Sequence, residues 1–301
     1  MTIRLDMRRA VTKAKDALGD SIDVVKDFYR RHVNDDGGFA GRDGRSDLYY
    51  TVFGLEASLV LGARIPYERV VSYLDTFGDG ASLDLVHLAS LVRCRANLAE
   101  RDGKGIDRAA SDAMAARLMQ FRCADGGFST SAGAERGHVY GGFLALGVCQ
   151  DLQIDALDPE ALVASVEALR RPDGGYANEP TMTASATSPT AAAITILHYL
   201  QRSIRQSAVQ WLADRGAPSG GFVALPLDTD LAVPDLLSTA TALHALSLTN
   251  IPLDVIREQN LDYLDALWNV RGGFHGHPAD EVLDCEYTYY GLLALGDLTG
   301  P

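Results

Sequence analysis

The stretch Gly37-Gly38-Phe39-Ala40-Gly41-Arg42-Asp43-Gly44-Arg45-Ser46-Asp47-Leu48-Tyr49-Tyr50-Thr51 runs from a glycine pair and an aromatic residue, through a polar loop, into an apolar segment. Its opening triplet returns as Gly126-Gly127-Phe128, Gly174-Gly175-Tyr176, Gly220-Gly221-Phe222 and Gly272-Gly273-Phe274. The steps are 89, 48, 46 and 52 residues, so the first is double the rest and a degenerate copy is expected midway, where Gly78-Asp79-Gly80 stands. Six units of about 40 to 50 residues mark a repeat architecture.

Each turn is followed by an alanine-rich apolar run with helical spacing: Leu48 to Leu61, Leu83 to Val92, Val139 to Leu152, Thr190 to Leu200, Leu236 to Leu248 and Tyr287 to Leu298. Before the next turn lies a more amphipathic stretch, such as Ala161 to Arg170 or Leu261 to Trp268, apolar on one face only. The apolar helices carry too little charge to face water, and the amphipathic ones can. Six helices inside and six outside give an all-α (α/α)6 barrel, or toroid, of helix-pair repeats joined by glycine-aromatic turns. Glycine suits those turns because it takes positive φ cheaply and leaves room where backbones crowd. The aromatic residue is expected to pack beneath each turn. Alternation of period two is scarce, so no sheet is expected. A linear solenoid, the structural rival, would need polar caps at its ends. Residues 1–301 read as one domain, with the N-terminal helical segment 1–33 plugging or flanking the ring.

With 47% hydrophobic residues the chain can bury a large core. A net charge of −13 argues against nonspecific nucleic-acid binding, which needs cations to neutralise phosphates. Lysine is confined to Lys13, Lys15, Lys26 and Lys104, so the positive charge is nearly all arginine. Cys94, Cys123, Cys149 and Cys285 form no C-x-x-C pair, which points to neither a disulfide framework nor a knuckle-type zinc site. The charged N-terminus lacks the apolar core of a signal peptide, and no stretch approaches 18 apolar residues. A cytoplasmic protein without a transmembrane segment is the expectation.

A ring of inward helices encloses a cavity, and the loops preceding those helices crowd one mouth. Helix N-termini there would favour an anion. An apolar funnel with a polar rim suits a small hydrophobic substrate with a charged head. Arg42 and Arg45 could grip a phosphate through their guanidinium forks, or pair with Asp43 and Asp47 as loop structure. Arg136 is a third candidate. Asp47, Asp84, Asp235 and Asp284 stand at inner-helix starts, where an aspartate serves first as an N-cap. One of them, desolvated above an apolar chamber, could instead act as an acid. His138 is an alternative proton handler. The displaced string Asp228-Thr229-Asp230 offers another acid, and His275 and His277 near Asp280 a weak metal motif. Tyr49, Tyr50, Tyr140, Tyr287, Tyr289 and Tyr290 cluster at inner-helix starts, where aromatic faces could steady a carbocation or simply pack.

With these strings in view, the chain resembles the superfamily of protein prenyltransferase β subunits and squalene-hopene-type terpene cyclases, from about residue 20 to 300. The resemblance implies an α/α toroid that handles an isoprenoid, with a prenyl diphosphate among the candidate substrates and a helical partner subunit conceivable. The β subunits show a pattern like G-G-F-x-G-R-x-x-K-x-x-D-x-C-Y, which Arg42, Arg45, Asp47 and Tyr50 approach one residue short, with Tyr49 at the cysteine position. In the unit expected to hold zinc, Asp235 is followed by Leu236 and Leu237, and Tyr287 stands where the family's D-x-x-H-T string has histidine. The cyclase string D-x-D-D-T-A survives only as Asp235-Leu236-Leu237-Ser238-Thr239-Ala240. The resemblance therefore implies an enzyme that transfers or cyclises an isoprenoid without zinc or the paired-aspartate acid, its magnesium requirement open. Catalytic candidates are Asp47, Asp235, Asp284 and His138, with no metal ligands. The substrate candidates are Arg42, Arg45, Arg136, Tyr49, Tyr50, Tyr140, Tyr287 and Tyr290. Alternatives are a cyclase or lyase of a non-isoprenoid natural product, and a non-catalytic binding or partner subunit.

Overall fold

The computed structural model describes residues 1–226 and 232–299. Six inner helices follow one another around a bore: α3 (Leu48–Leu61), α5 (Leu85–Arg101), α7 (Val139–Leu152), α9 (Thr187–Tyr199), α11 (Leu236–Ser247) and α13 (Cys285–Thr299). Each packs on the next, and α13 returns to α3, which closes the ring as an α/α toroid. The outer layer holds α4 (Tyr67–Asp75), α6 (Arg108–Met119), α8 (Pro159–Glu167), α10 (Gln206–Ala213) and α12 (Arg257–Leu267). The sixth outer helix is α2 (Ile22–Arg31), supplied by the N-terminal segment.

The glycine pairs explain how the layers are joined. A Cβ on the first glycine of each pair would press on the backbone or Cβ of an outer helix: Gly37 would meet Arg69, Gly126 Ala161, Gly174 Ser207 and Gly220 Gln259, the Gly174 contact being the loosest at 3.0 Å. Gly272 would meet Val24 of α2, so the last turn docks on the first outer helix and the two ends of the chain seal the ring. All five residues have positive φ, from 83° to 103°, where a side chain is strained whatever the space. The aromatic residue then turns inward and is buried, and it makes an antiparallel bridge to the residue six positions earlier in all five full copies. In four of them its N–H is held by a threonine of the inner helix: Thr51, Thr190, Thr239 and Thr288 bond Phe39, Tyr176, Phe222 and Phe274. At the last turn the bridge extends to a two-residue ladder, β1 (Trp268–Asn269) with β2 (Gly273–Phe274). This small element escapes a search for alternation because its pairing is set by the turn rather than by side-chain pattern.

The first helix, α1 (Ile3–Leu18), closes one end of the bore and packs on α13, α3 and α7. It lies so close to α13 that a Cβ on Gly296 would fall 1.8 Å from the Ala10 carbonyl oxygen. Polar ties fix its rim. Arg4 reaches Asp151 at 2.7 Å and Glu100 at 2.8 Å, the Ile3 N–H donates to Gln150, and Tyr199 donates to Asp6. Loops that precede the inner helices gather at the opposite end, which is the mouth. Among the described residues no helix is long and apolar enough to cross a membrane.

The glycine geometry yields a paired expectation. Gly220→Ala, with its Cβ 1.9 Å from the Gln259 carbonyl oxygen, should lower unfolding free energy by at least ~3 kcal/mol. Gly78→Ala, also at positive φ but in open space, should cost only ~1 kcal/mol. Urea denaturation of the two variants checks the contrast.

Candidate functional site

The bore encloses a cavity of about 380 Å³, within the range of small-molecule sites. Much of its wall is aromatic, formed by Tyr49, Phe53, Tyr140, Phe143 and Tyr290. Tyr49 and Phe53 meet edge to face at 5.2 Å, and Phe53 lies 5.5 Å from Tyr290, so successive quadrupoles tile one side. Leu144, Ala192, Leu237 and Leu293 complete the apolar surface, while Met7 of α1, Arg93 and His244 also line the cavity.

Glu286, in the first turn of α13, accepts a 2.6 Å hydrogen bond from the Tyr49 hydroxyl. It therefore stands one hydrogen bond behind the cavity wall. Burial pushes its carboxyl up to about 7, against the opposing effect of the Tyr49 bond, so both protonation states are accessible at neutral pH. Tyr140 and Tyr290 feel its charge, and burial first, then Glu286, raises the Tyr140 phenol to about 12.

The four aspartates named from sequence all cap helices. Asp47 accepts from the Tyr49 N–H at 2.7 Å, Asp84 from His87 at 2.9 Å, Asp235 from Ser238 at 2.8 Å and Asp284 from Tyr287 at 2.8 Å. None lines the cavity. Asp284 is buried, and desolvation holds its carboxyl above the usual range although Tyr287 N–H and Arg42 oppose the shift. Arg42 bridges Asp284 at 2.9 Å and Asp280 at 2.7 Å and lies 5.2 Å above the Tyr287 ring. Arg45 pairs with Asp43 inside its own loop, and Arg136 is exposed. His138 begins α7 with its Nε2 3.5 Å from Glu179. Of the tyrosines, Tyr49, Tyr140 and Tyr290 face the cavity, Tyr50 and Tyr287 stay at the rim, and Tyr289 points into the ring wall. The string Asp228-Thr229-Asp230 lies outside the described residues.

Helix N-termini at the mouth are also engaged. The first N–H groups of α7, α9 and α11 donate to the carbonyls of Asn178, Ala224 and Gly276 in the loop of the next unit. These bonds lock neighbouring units together and use the donors that an anion would otherwise meet. At the positions where the resemblance implies zinc, Asp235 serves the α11 cap, Leu237 lines the cavity and Tyr287 stacks under Arg42. That donor set does not fit zinc. His275 bonds Asn269, and His277 accepts from the Ala279 N–H. Among the described residues, no three His, Cys, Asp or Glu side chains gather to hold a metal ion.

Two polar clusters were not legible as site groups in the sequence. Glu56, fully buried in α3, receives both Nε and Nη2 of Arg93 at 2.8 and 2.5 Å, Asn97 at 2.7 Å and the Tyr289 hydroxyl. Burial alone would raise the Glu56 carboxyl, but Arg93 outweighs it and holds the group below the usual range. Across the bore, His244 of α11 places Nδ1 3.0 Å from Asp297 of α13. A lone glutamate inside the otherwise uncharged run Leu48 to Leu61 was the available signal for the first cluster.

Comparison with known proteins agrees with the closed helical ring. The model of the prenyltransferase alpha-alpha toroid domain matches residues 18–223 and 190–298. No curated protein matches the chain by sequence. Among solved structures, the type II terpene cyclase MstE from Scytonema, in complex with geranylgeranyl dihydroxybenzoate, superposes with a TM-score of 0.64 at 15% identity, over 95% of this chain and 97% of that one. Candida albicans protein geranylgeranyltransferase-I, complexed with GGPP, gives 0.67 at 15% identity over 92% and 90%. A protein from Actinoplanes gives 0.62 at 16% identity over 93% and 98%. At these identities the likeness is one of fold.

Two outcomes follow. Glu56→Ala leaves Arg93, mostly withdrawn from water, without its partner and should cost ~3 kcal/mol in urea denaturation. The folded state favours the protonated form of Glu286, so its contribution to stability is complete below pH 4.5 and is lost as pH rises toward about 7. Glu286→Gln should remove that loss from the stability profile, and in carboxyl NMR Tyr49→Phe should move the Glu286 midpoint upward, because the lost hydrogen bond favoured the anion.

Proposed function

The chain belongs to the prenyltransferase α/α-toroid domain family, and from that premise we propose that it is an isoprenoid enzyme that starts cyclisation or isomerisation by protonating its substrate. One observation carries the reading: the aromatic-walled cavity is backed by a carboxyl group, Glu286, held near neutrality and joined to the cavity through Tyr49. A protonated Glu286 donates to the Tyr49 oxygen, which frees the Tyr49 O–H to point at the substrate. Proton transfer from Tyr49 to an alkene carbon, with the Glu286 proton replacing it, leaves a carbocation in the cavity and a carboxylate on Glu286. Both charges have local support. The faces of Phe53, Tyr140, Phe143 and Tyr290 steady the cation, and the hydrogen bond from Tyr49 steadies the anion.

Protonation is favoured over ionisation of a diphosphate by the state of the mouth. Arg42 is neutralised by Asp280 and Asp284, and Arg45 by Asp43, so two of the three guanidinium groups suggested for a phosphate already carry carboxylate partners. Removing Arg42 from its two acids to serve a phosphate would strand buried Asp284.

Incubation with linear C15 and C20 polyprenyl alcohols in deuterated buffer, followed by gas chromatography and mass spectrometry, tests the reading. The expected product is an isomer of the substrate carrying one solvent deuterium. Glu286→Gln and Tyr49→Phe should each lower its formation by ~100-fold or more, with the wild-type rate falling as pH rises through about 7. A product without solvent deuterium, or full activity in Glu286→Gln, would refute the proposal.

A further inference from the structure

We propose that the floor of the cavity is a second recognition site, in which Nε2 of His244 binds the hydroxyl group of an isoprenoid alcohol. It rests on the reading of the cavity as an isoprenoid chamber and assigns the direction in which the chain enters. The hydroxyl goes down to α1, and the opposite, alkene end lies beside Tyr49.

His244 is 7% exposed and lines the cavity, and its Nε2 is buried without a hydrogen-bond partner among the described residues. Its other nitrogen is committed, because the Asp297 carboxylate 3.0 Å away accepts from Nδ1 and fixes the ring orientation. A buried nitrogen left unpaired is unfavourable unless the occupant of the cavity pairs it. Its setting selects the partner. Burial opposes a charge on the ring, but Asp297 outweighs it, with a smaller contribution from Asp6, and keeps the imidazole more basic than usual. When the ring is protonated, Nε2 is an N–H donor. In the neutral ring it would be an acceptor, and a hydroxyl satisfies either form.

An anionic head is disfavoured by the same surroundings. Arg93, which also lines the cavity, is already bound by Glu56, and Arg4 by Asp151 and Glu100. His244 is itself matched by Asp297. A carboxylate or phosphate would therefore be desolvated without an uncompensated positive charge to meet it. Thr195 and Thr241, which also line the cavity, return their hydroxyl protons to the carbonyls of Ala191 and Leu237 and so do not compete as donors.

Isothermal titration calorimetry of the full chain with farnesol, farnesene and farnesoic acid at pH 8 tests the assignment. Farnesol should bind roughly tenfold more tightly than farnesene, farnesoic acid more weakly than farnesol, and His244→Leu should erase the preference for farnesol while leaving farnesene affinity in place. Should His244→Leu fail to fold, the wild type labelled with nitrogen-15 histidine carries the test: farnesol must shift one imidazole Nε2 resonance that farnesene leaves unmoved. Equal affinity for farnesol and farnesene in the wild type, no selective Nε2 shift, or tighter binding of farnesoic acid overturns this assignment alone. Binding of none of the three overturns the isoprenoid chamber as well.

Discussion

The ring depends on backbones that approach where no side chain could stand. At five turns a glycine at positive φ lies against an outer helix, close enough that one added carbon would collide at four of them and be crowded at Gly174. Helix pairs could otherwise stack into an open array, since ridges and grooves tolerate a range of angles. The glycine contact removes that freedom by fixing the distance between each turn and the outer helix that follows its inner partner. Because the last of these contacts is made on α2, near the start of the chain, closure is written into the first outer helix as well as the last turn.

Within that frame the inner helices must hide almost every polar group they carry. Glu56 and Arg93 show how this is done between adjacent helices: each charge finds its counterpart across the α3 and α5 contact, and Asn97 and Tyr289 take up remaining bonding capacity. Such a pair contributes less to stability than its Coulomb attraction suggests, because desolvating both ions is costly. Its greater consequence is register, since sliding α5 along α3 by a turn would strand both charges. Arg4 continues the network through Asn97 into α1, so the plug is aligned by the same cluster that aligns the wall.

The fold was legible because glycine spacing and apolar runs are local signals, and α3 and α7 fall on the runs read from sequence. The errors have physical causes. The second apolar run stops at Val92 in the sequence, just before a charged residue, yet α5 continues to Arg101 with Arg93 paired to buried Glu56. The leading segment reads as a flank or plug; α1 closes one end of the bore and α2 stands in the outer layer. Site chemistry was harder to see. Asp47, Asp235 and Asp284 attract attention because carboxylates at helix starts stand out, and their visibility comes from capping. Glu286 is two residues beyond Asp284, but only tertiary structure places Tyr49 of α3 over it and withdraws it from water. His244 and Asp297 are 53 residues apart and become a pair only because α11 and α13 are neighbours in the ring.

A closed ring of inner helices has one property that a cleft lacks: its polar groups can be sorted by depth. Residues in the first turns of the helices, Tyr49 and Glu286, face or back the cavity near the mouth, whereas residues two turns or more along, Arg93 and His244, sit near α1. The middle is left to Phe53, Phe143, Leu144 and Ala192, which offer no base to quench a cation and no hydrogen bond to arrest a sliding chain. A long apolar molecule in such a tube is held against rotation by shape but is free along the axis. Axial position must then come from the ends, and the protein places a distinct hydrogen-bonding group at each. In the proposed reading, the acid by the mouth and the histidine over the plug are coupled through the length of whatever lies between them, so chain length would be selected without either group touching the part that varies.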